Sequence, residues 1–107
     1  MLVMSETNIF RALADPTRRA IYERLAGGRL TVSELREGLA VSQPAVSQHL
    51  AVLRGAGLVS EQRVGRNSYY QARPDGLDPL LGWIERYRAF WPERIDRLKT
   101  VLKEMDQ

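Results

Sequence analysis

Residues 42–59 read SQPAVSQHLAVLRGAGLV, and this stretch decides the fold. It opens on Ser42, a residue type that caps helices by accepting a hydrogen bond from a free backbone N–H. Val46, Leu50 and Leu53 follow at the spacing of one helical face, and glycines then end the pattern. The stretch therefore predicts an amphipathic helix that begins after Ser42 and buries this apolar stripe.

A second helix is predicted directly before this one. Thr31 and Glu34 have the spacing of a capping box, in which each side chain accepts a hydrogen bond from the backbone N–H of the other residue. We expect a short helix from about Val32 to Leu39. Two short helices joined by a tight turn form a helix-turn-helix, which the sequence places at residues 32–56.

A β-hairpin is predicted after the second helix. Leu58–Val64 and Ser68–Arg73 have strand-forming side chains and flank a glycine-containing loop of about three residues. A hairpin in this place is a wing, so residues 58–73 complete a winged helix-turn-helix core at residues 8–73. The predicted fold is mainly α with one small β-hairpin, in a single domain of 107 residues.

The last third of the chain carries a heptad pattern. From Leu77 to Met105 apolar residues recur at two positions of every seven, which is typical of a helix that packs on a partner helix. A domain of this size has too little surface to cover residues 77–105, so we expect a homodimer through the first and last helices. Pro92 predicts a kink or break near Phe90–Pro92, because proline lacks the N–H that a helix interior needs. The predicted dimer contacts are Phe10, Leu77, Leu81, Ile84, Trp91, Ile95, Leu98 and Leu102.

Composition excludes several classes of function. The chain has no cysteine and one histidine, which removes thiolate metal sites, thiol nucleophiles, disulfides and multi-histidine sites. Ser47 and His49 lie two residues apart on one helix and so point about 200° apart, which excludes a catalytic dyad. No apolar run is long enough to span a membrane, and the N-terminus lacks the pattern of a signal peptide. We therefore expect a cytoplasmic protein that is not an enzyme, needs no cofactor or metal and makes no membrane contact.

The charge distribution indicates a polyanionic partner. The formal net charge is +3, and residues 29–73 carry six arginines against three glutamates. Neutralising phosphates releases counterions, so a local excess of arginine favours nucleic-acid binding. We expect double-stranded DNA to be contacted by both ends of the second helix and by the wing, through Ser42, Gln43, Ser47, Gln48, Arg54, Arg63, Arg66 and Asn67.

Several residues in this region have a second interpretation. Ser42 is foremost a helix cap, and Arg54 either grips a phosphate or pairs with a glutamate. His49 lies beside the apolar stripe and is expected to be half-buried rather than in contact with DNA. Tyr69 and Tyr70 face opposite sides of their strand, so one belongs to the core and the other can touch phosphate.

Four motifs make the chain similar to one protein family. They are Ala12–Arg19 (ALADPTRR), Ser42–Leu50 (SQPAVSQHL), Leu53–Val59 (LRGAGLV), and Gly65-Arg66 with Tyr69-Tyr70. In this combination the chain resembles the ArsR family of bacterial winged-helix repressors, closely over residues 8–73 and more loosely in the last helix. The resemblance implies a cytoplasmic homodimer, joined by its first and last helices, that represses transcription on a palindromic operator.

The sequence departs from the metal sensors of that family. Those proteins carry cysteines in the helix before the recognition helix, or histidines and carboxylates in the last helix. Here residues 31–35 (TVSEL) contain no thiol, and residues 77–105 contain no histidine. The chain is similar to the cysteine-free branch of the family, and the sequence does not specify whether a small molecule or a protein acts as its inducer.

Two alternatives stay open from the sequence. The same scaffold could serve as a protein-interaction module, with Trp83, Phe90 and Trp91 holding a partner and DNA binding vestigial. Together with Tyr87, these aromatic side chains could also line a small-molecule pocket, although such stripes are more often dimer core. Retention of DNA in a gel shift separates a repressor from the interaction module.

Overall fold

The computed structural model describes residues 6–90 and 92–105, apart from the side chains at 92 and 95. Within these ranges helices precede and follow one hairpin. The elements are α1 (Glu6–Ala14), α2 (Pro16–Ala26), α3 (Val32–Arg36), α4 (Gln43–Gly55), β1 (Val59–Val64), β2 (Asn67–Ala72), α5 (Asp78–Tyr87), a 3-10 turn (Arg88–Phe90) and α6 (Pro92–Met105). The predicted fold class, mainly α with a small β-hairpin, is confirmed.

The core lies between the first four helices and the start of the hairpin. Its large side chains are aliphatic, and no polar side chain among the described residues is buried with them. The stripe of Val46, Leu50 and Leu53 on α4 is buried as predicted. This burial decides which side of α4 faces solvent. The other large side chains that are fully buried are Ile9, Ile21, Leu25, Leu35 and Leu58.

Arginine side chains fasten α2 to the end of α1. Asp15 caps α2 by accepting a hydrogen bond from the Arg18 N–H at 3.0 Å, and this bond lowers the pKa of the Asp15 carboxyl. The Arg18 guanidinium donates to the carbonyl of Ala12 at 2.7 Å, and that of Arg19 donates to the carbonyl of Leu13 at 2.8 Å. These bonds satisfy carbonyls that the last turn of α1 leaves without a helical partner.

The third helix begins as predicted and ends earlier. The capping box of Thr31 and Glu34 is present, with hydrogen bonds of 3.2 and 2.8 Å. The predicted end at Leu39 is wrong, because α3 stops at Arg36. Arg24 of α2 donates three hydrogen bonds to carbonyls at this end, of which the shortest is 2.7 Å, so further helical turns are not needed to satisfy them. Gly38, which follows α3, has a φ of 82° and redirects the chain toward α4.

The wing is a tighter hairpin than predicted. β1 and β2 pair antiparallel and close with Val64 opposite Asn67, so the turn has two residues instead of about three. Gly65 takes φ of 63°, as in a type II′ turn that has glycine at its first central position. Asn67 therefore belongs to β2 and not to the loop, and three of the four predicted strand ends shift by one residue.

The predicted dimerisation helix at 77–105 is two helices. α5 ends at Tyr87, a 3-10 turn follows, and α6 starts at Pro92. A proline fits a first helical turn because the N–H it lacks would have no helical partner there. Trp91 lies outside the described residues. Across the ranges that the structure describes, no helix is long and apolar enough to cross a membrane.

Candidate nucleic-acid interface

The exposed side of α4 is polar at its start and small along its length. The Ser42 hydroxyl accepts a hydrogen bond from the Ala45 N–H at 3.3 Å, which confirms that this residue caps the helix. Away from the buried stripe, Ser47, Gln48 and Ala51 face solvent. A helix whose outer face carries short side chains can seat deeply in a major groove about 12 Å wide.

Four side chains at this end of α4 form what we call the reading surface: Ser42, Gln43, Ser47 and Gln48. Within the described part of the chain, no side-chain hydrogen bond engages the last three of them, and all four are exposed. A glutamine amide can bond an adenine through two atoms, and a serine hydroxyl can donate or accept at several bases. The first turn of α4 also leaves N–H groups that favour a phosphate oxygen. The reading surface therefore has the donors and acceptors that base recognition needs.

Arg54, near the other end of α4, is tied to the wing. Its Nη1 donates to Oε1 of Glu61 at 2.9 Å, so the structure contains the glutamate pair rather than a free guanidinium. Glu61 also acts on the neighbouring Tyr70. Burial raises the pKa of the Tyr70 phenol, and the negative charge of Glu61 and its hydrogen bond with the phenol raise that pKa further. An exposed ion pair is worth at most about 1 kcal/mol. Arg54 can therefore exchange Glu61 for a phosphate at little cost.

The wing presents polar side chains in different directions. Arg66 stands in the two-residue turn and is exposed. Arg63 and Asn67 are also exposed, but they belong to opposite faces of the hairpin, since Arg63 is opposite Ser68 and Asn67 is opposite Val64. Of the three predicted wing contacts, Arg66 alone is at the tip, where an arginine can enter a narrow minor groove.

The two tyrosines of β2 divide between the faces of the hairpin, as predicted. Tyr70 packs against the core, and Tyr69 lies on the other face. There the Arg29 guanidinium stacks over the Tyr69 ring, with its Cζ 4.6 Å from the ring centre, and its Nη1 donates to Oε1 of Gln62 at 3.4 Å. Sequence reasoning missed this placement of Arg29, because it depends on the backbone pairing of Leu30 with Tyr70 across forty positions of sequence.

The one histidine of the chain shows no sign of a ligand role. His49 is half-buried beside the α4 stripe, as expected. Among the residues described, no group of three or more histidine, cysteine, aspartate or glutamate side chains is placed to hold a metal ion.

An apolar face remains uncovered on the first and last helices. Leu81 and Leu98 are 56% and 57% exposed. Leu77, by contrast, is half-buried against the core of its own chain, while Trp91 and the side chain of Ile95 lie outside the described residues. Several large apolar side chains left in water on one chain are typical of an interaction site. The predicted dimer contacts that are exposed, which we call the apolar face, are Phe10, Leu81, Ile84, Leu98 and Leu102.

Aromatic rings join α5 to α1 beside the apolar face. Phe10 meets Trp83 edge to face, with ring centres 5.5 Å apart, and Trp83 lies 5.0 Å from Tyr87. Tyr87 stacks on Phe90 at 6.1 Å. Because the rings pack on one another, their arrangement favours a structural role over the lining of a ligand pocket.

Comparison with known proteins gives consistent matches. Residues 13–62 match the family model described as a helix-turn-helix domain. The HTH-type transcriptional regulator Rv2034 of Mycobacterium tuberculosis is 51% identical over 83 residues, which cover 78% of this chain and 78% of that protein. The transcriptional repressor SdpR of Bacillus subtilis is 36% identical over 77 residues, which cover 72% of this chain and 86% of that protein.

A solved structure extends the similarity beyond the helix-turn-helix. The ArsR-like transcriptional regulator from Rhodococcus sp. RHA1 has a TM-score of 0.71 and 34% sequence identity. The match covers 89% of this chain and 90% of that one. The likeness therefore extends beyond residues 13–62, which the family model covers.

Proposed function

Because the chain belongs to the ArsR family of winged helix-turn-helix transcriptional regulators, we propose that it represses transcription by binding an operator in double-stranded DNA as a homodimer. The observation that carries this proposal is the reading surface, which is exposed, polar and backed by a buried stripe that fixes its orientation. The named relatives are transcriptional regulators, which favours this function over a protein-interaction module or an enzyme. A regulator of bacterial transcription acts in the cytoplasm, where its operator lies.

The proposal assigns separate tasks to two parts of one domain. Residues 8–73 bind DNA, with the helix-turn-helix at 32–56 and the wing at 58–73, and the dimer contact is formed by residues 77–105 together with Phe10 of the first helix. The apolar face supports the second assignment, because a single chain leaves it in water. A two-fold axis through that face would present one reading surface to each half of a palindrome.

Contacts with DNA divide by chemistry. The reading surface contacts base edges in the major groove, where Gln48 and Ser47 carry base preference. Arg54, Arg63 and Asn67 contact the backbone, and Arg66 enters the minor groove from the tip of the wing. No inducer is assigned.

The first test is a selection of DNA fragments by the purified protein, followed by gel shifts with the selected sequence. We expect two half-sites whose centres lie one or two helical turns apart, about 34–36 Å for one turn. Gln48→Ala should reduce discrimination against a wrong base by about 1–3 kcal/mol at one position of each half-site. Gln71→Ala, an exposed glutamine on β2 outside the reading surface, is the matched control. Equal binding of random and selected DNA by the wild-type protein would contradict the proposed function.

Arg66→Ala should weaken binding to all DNA sequences alike. An arginine in the minor groove neutralises phosphate charge, so its loss should make the plot of log affinity against log salt less steep by about 0.9 for each protomer. Fluorescence anisotropy with the operator and with random DNA at several salt concentrations measures both slopes. Arg97→Ala removes the same charge from α6 and should leave the slope unchanged. An unchanged slope for Arg66→Ala removes this residue from the interface.

A further inference from the structure

We propose that Arg29, Gln62 and Tyr69 form a phosphate-binding site on the wing, which we call the Arg29 site. It rests on the proposed function and adds a contact outside the reading surface and the wing tip. The ligand is a phosphate of the DNA backbone at the edge of the minor groove. Three observations carry the assignment: the orientation of the guanidinium, its lack of a carboxylate partner, and its distance from the tip of the hairpin.

The guanidinium of Arg29 contacts two side chains of the wing. It lies over the Tyr69 ring at 4.6 Å and donates to Gln62 at 3.4 Å. Gln62 and Tyr69 are opposite each other in the hairpin, so they form one platform. The backbone is anchored as well, because Leu30 and Tyr70 exchange hydrogen bonds of 2.9 and 2.8 Å. A stacked guanidinium keeps the N–H donors along its edge available, in the fork that phosphate recognition uses.

Three arginines that lie close to helix ends are already engaged. Arg18 and Arg24 donate to backbone carbonyls, and Arg54 pairs with Glu61. Among the described residues no carboxylate forms an ion pair with Arg29, and the adjacent acid, Glu61, belongs to the other face of the hairpin. The Arg29 site is therefore a cation that is oriented but not neutralised, which is what an incoming phosphate requires.

The position of the site along the wing suits a phosphate at the mouth of the minor groove. The Gln62–Tyr69 pair lies two residue pairs behind the closing Val64–Asn67 pair, which is about 7 Å at the usual rise of a strand, and the Gly65-Arg66 turn extends beyond that pair. The minor groove of B-DNA is about 7.5 Å deep. A wing that inserts its turn into the groove therefore keeps the Arg29 site outside the groove, near the phosphates that border it.

The test compares Arg29→Gln with the wild-type protein by fluorescence anisotropy over about 50 to 300 mM salt, on the operator and on random DNA. Each lost phosphate contact should lower affinity for both DNAs about eightfold at about 0.1 M salt and make the salt slope less steep by about 0.9. A dimer that loses one contact in each protomer should therefore bind about 60-fold more weakly, with a slope less steep by about 1.8. Arg97→Gln removes an equal charge from an exposed position of α6 that lies about 100° around the helix from Leu98, and it should behave as wild type. Circular dichroism and a thermal melt show whether each variant is folded.

The outcomes separate this inference from the proposed function. If the wild-type protein ignores DNA, the proposed function fails and the Arg29 site fails with it. If the wild-type protein binds DNA and Arg29→Gln keeps its salt slope, the Arg29 site alone is overturned. A loss confined to the operator also overturns it, because a phosphate contact carries no base preference. Should Arg29→Gln not fold, Tyr69→Leu is compared with Tyr69→Phe: weaker binding by the first variant alone supports the stacked platform, and equal binding by both overturns it.

Discussion

A Leu81→Glu variant is expected to be monomeric and to bind the operator at least about 100-fold more weakly than the wild-type protein. Leu81 is a residue of the apolar face, 56% exposed on α5. In a dimer a glutamate at this place would be buried among aliphatic side chains, and an unpaired buried charge costs several kcal/mol. When the dimer is lost, the second reading surface no longer acts at a high effective concentration, which is worth about 10²- to 10⁴-fold in affinity.

Sedimentation velocity gives the oligomeric state of Leu81→Glu, and a gel shift on the operator gives its affinity. Thr100→Glu adds the same charge to α6 on the side away from Leu98 and Leu102, and we expect it to remain a dimer. A dimeric Leu81→Glu would show that another surface joins the protomers. A monomeric wild-type protein that still binds DNA tightly would contradict the role of the apolar face as a dimer contact.

The helix starts could be predicted from sequence because capping is local. The caps at Asp15, Thr31 and Ser42 are all present, and each depends on a hydrogen bond that spans three residues. The end of α3 could not be predicted in the same way. The carbonyls at that end are satisfied by Arg24, whose guanidinium reaches across from α2, and no pattern within α3 indicates these bonds. The local signal is Gly38, two residues past the end of α3, whose φ of 82° redirects the chain.

The wing shows the same division between local and distant information. A hairpin between residues 58 and 73 follows from strand-forming residues around a glycine. The two-residue turn depends on the positive φ of Gly65. The sequence does not specify this turn, because several neighbouring residues favour turns. The placement of Arg29 could not be predicted either, since Leu30 pairs with Tyr70 only in the folded chain.

Not every arginine that contributes to the positive charge of residues 29–73 is available to bind DNA. Among the six arginines at 29–73, Arg54 and Arg73 pair with carboxylates of their own chain. The other four have no such partner among the described residues: Arg36 lies at the end of α3, and Arg29, Arg63 and Arg66 stand on the wing or beside it. Most of the arginines without an ion pair therefore lie at the wing, whereas the sequence motifs pointed mainly to α4 as the DNA contact. This uneven distribution is why we expect salt dependence to respond to wing variants and base preference to respond to the reading surface.

Leu50→Ala should lower the free energy of unfolding by about 2–5 kcal/mol. Leu50 is 1% exposed at the centre of the α4 stripe, so truncation leaves a cavity that neighbouring side chains fill only in part. Urea unfolding at a fixed protein concentration measures the loss, because dimerisation makes the midpoint depend on concentration. Val52→Ala, in the same helix but 43% exposed, should change stability by no more than about 0.5 kcal/mol.

Under conditions where Leu50→Ala is still folded, it should retain the wild-type base preference, since the reading surface lies on another side of α4. A loss below about 1 kcal/mol would mean that Leu50 is not a central core residue, and a changed base preference in the folded variant would mean that the two sides of α4 are not independent.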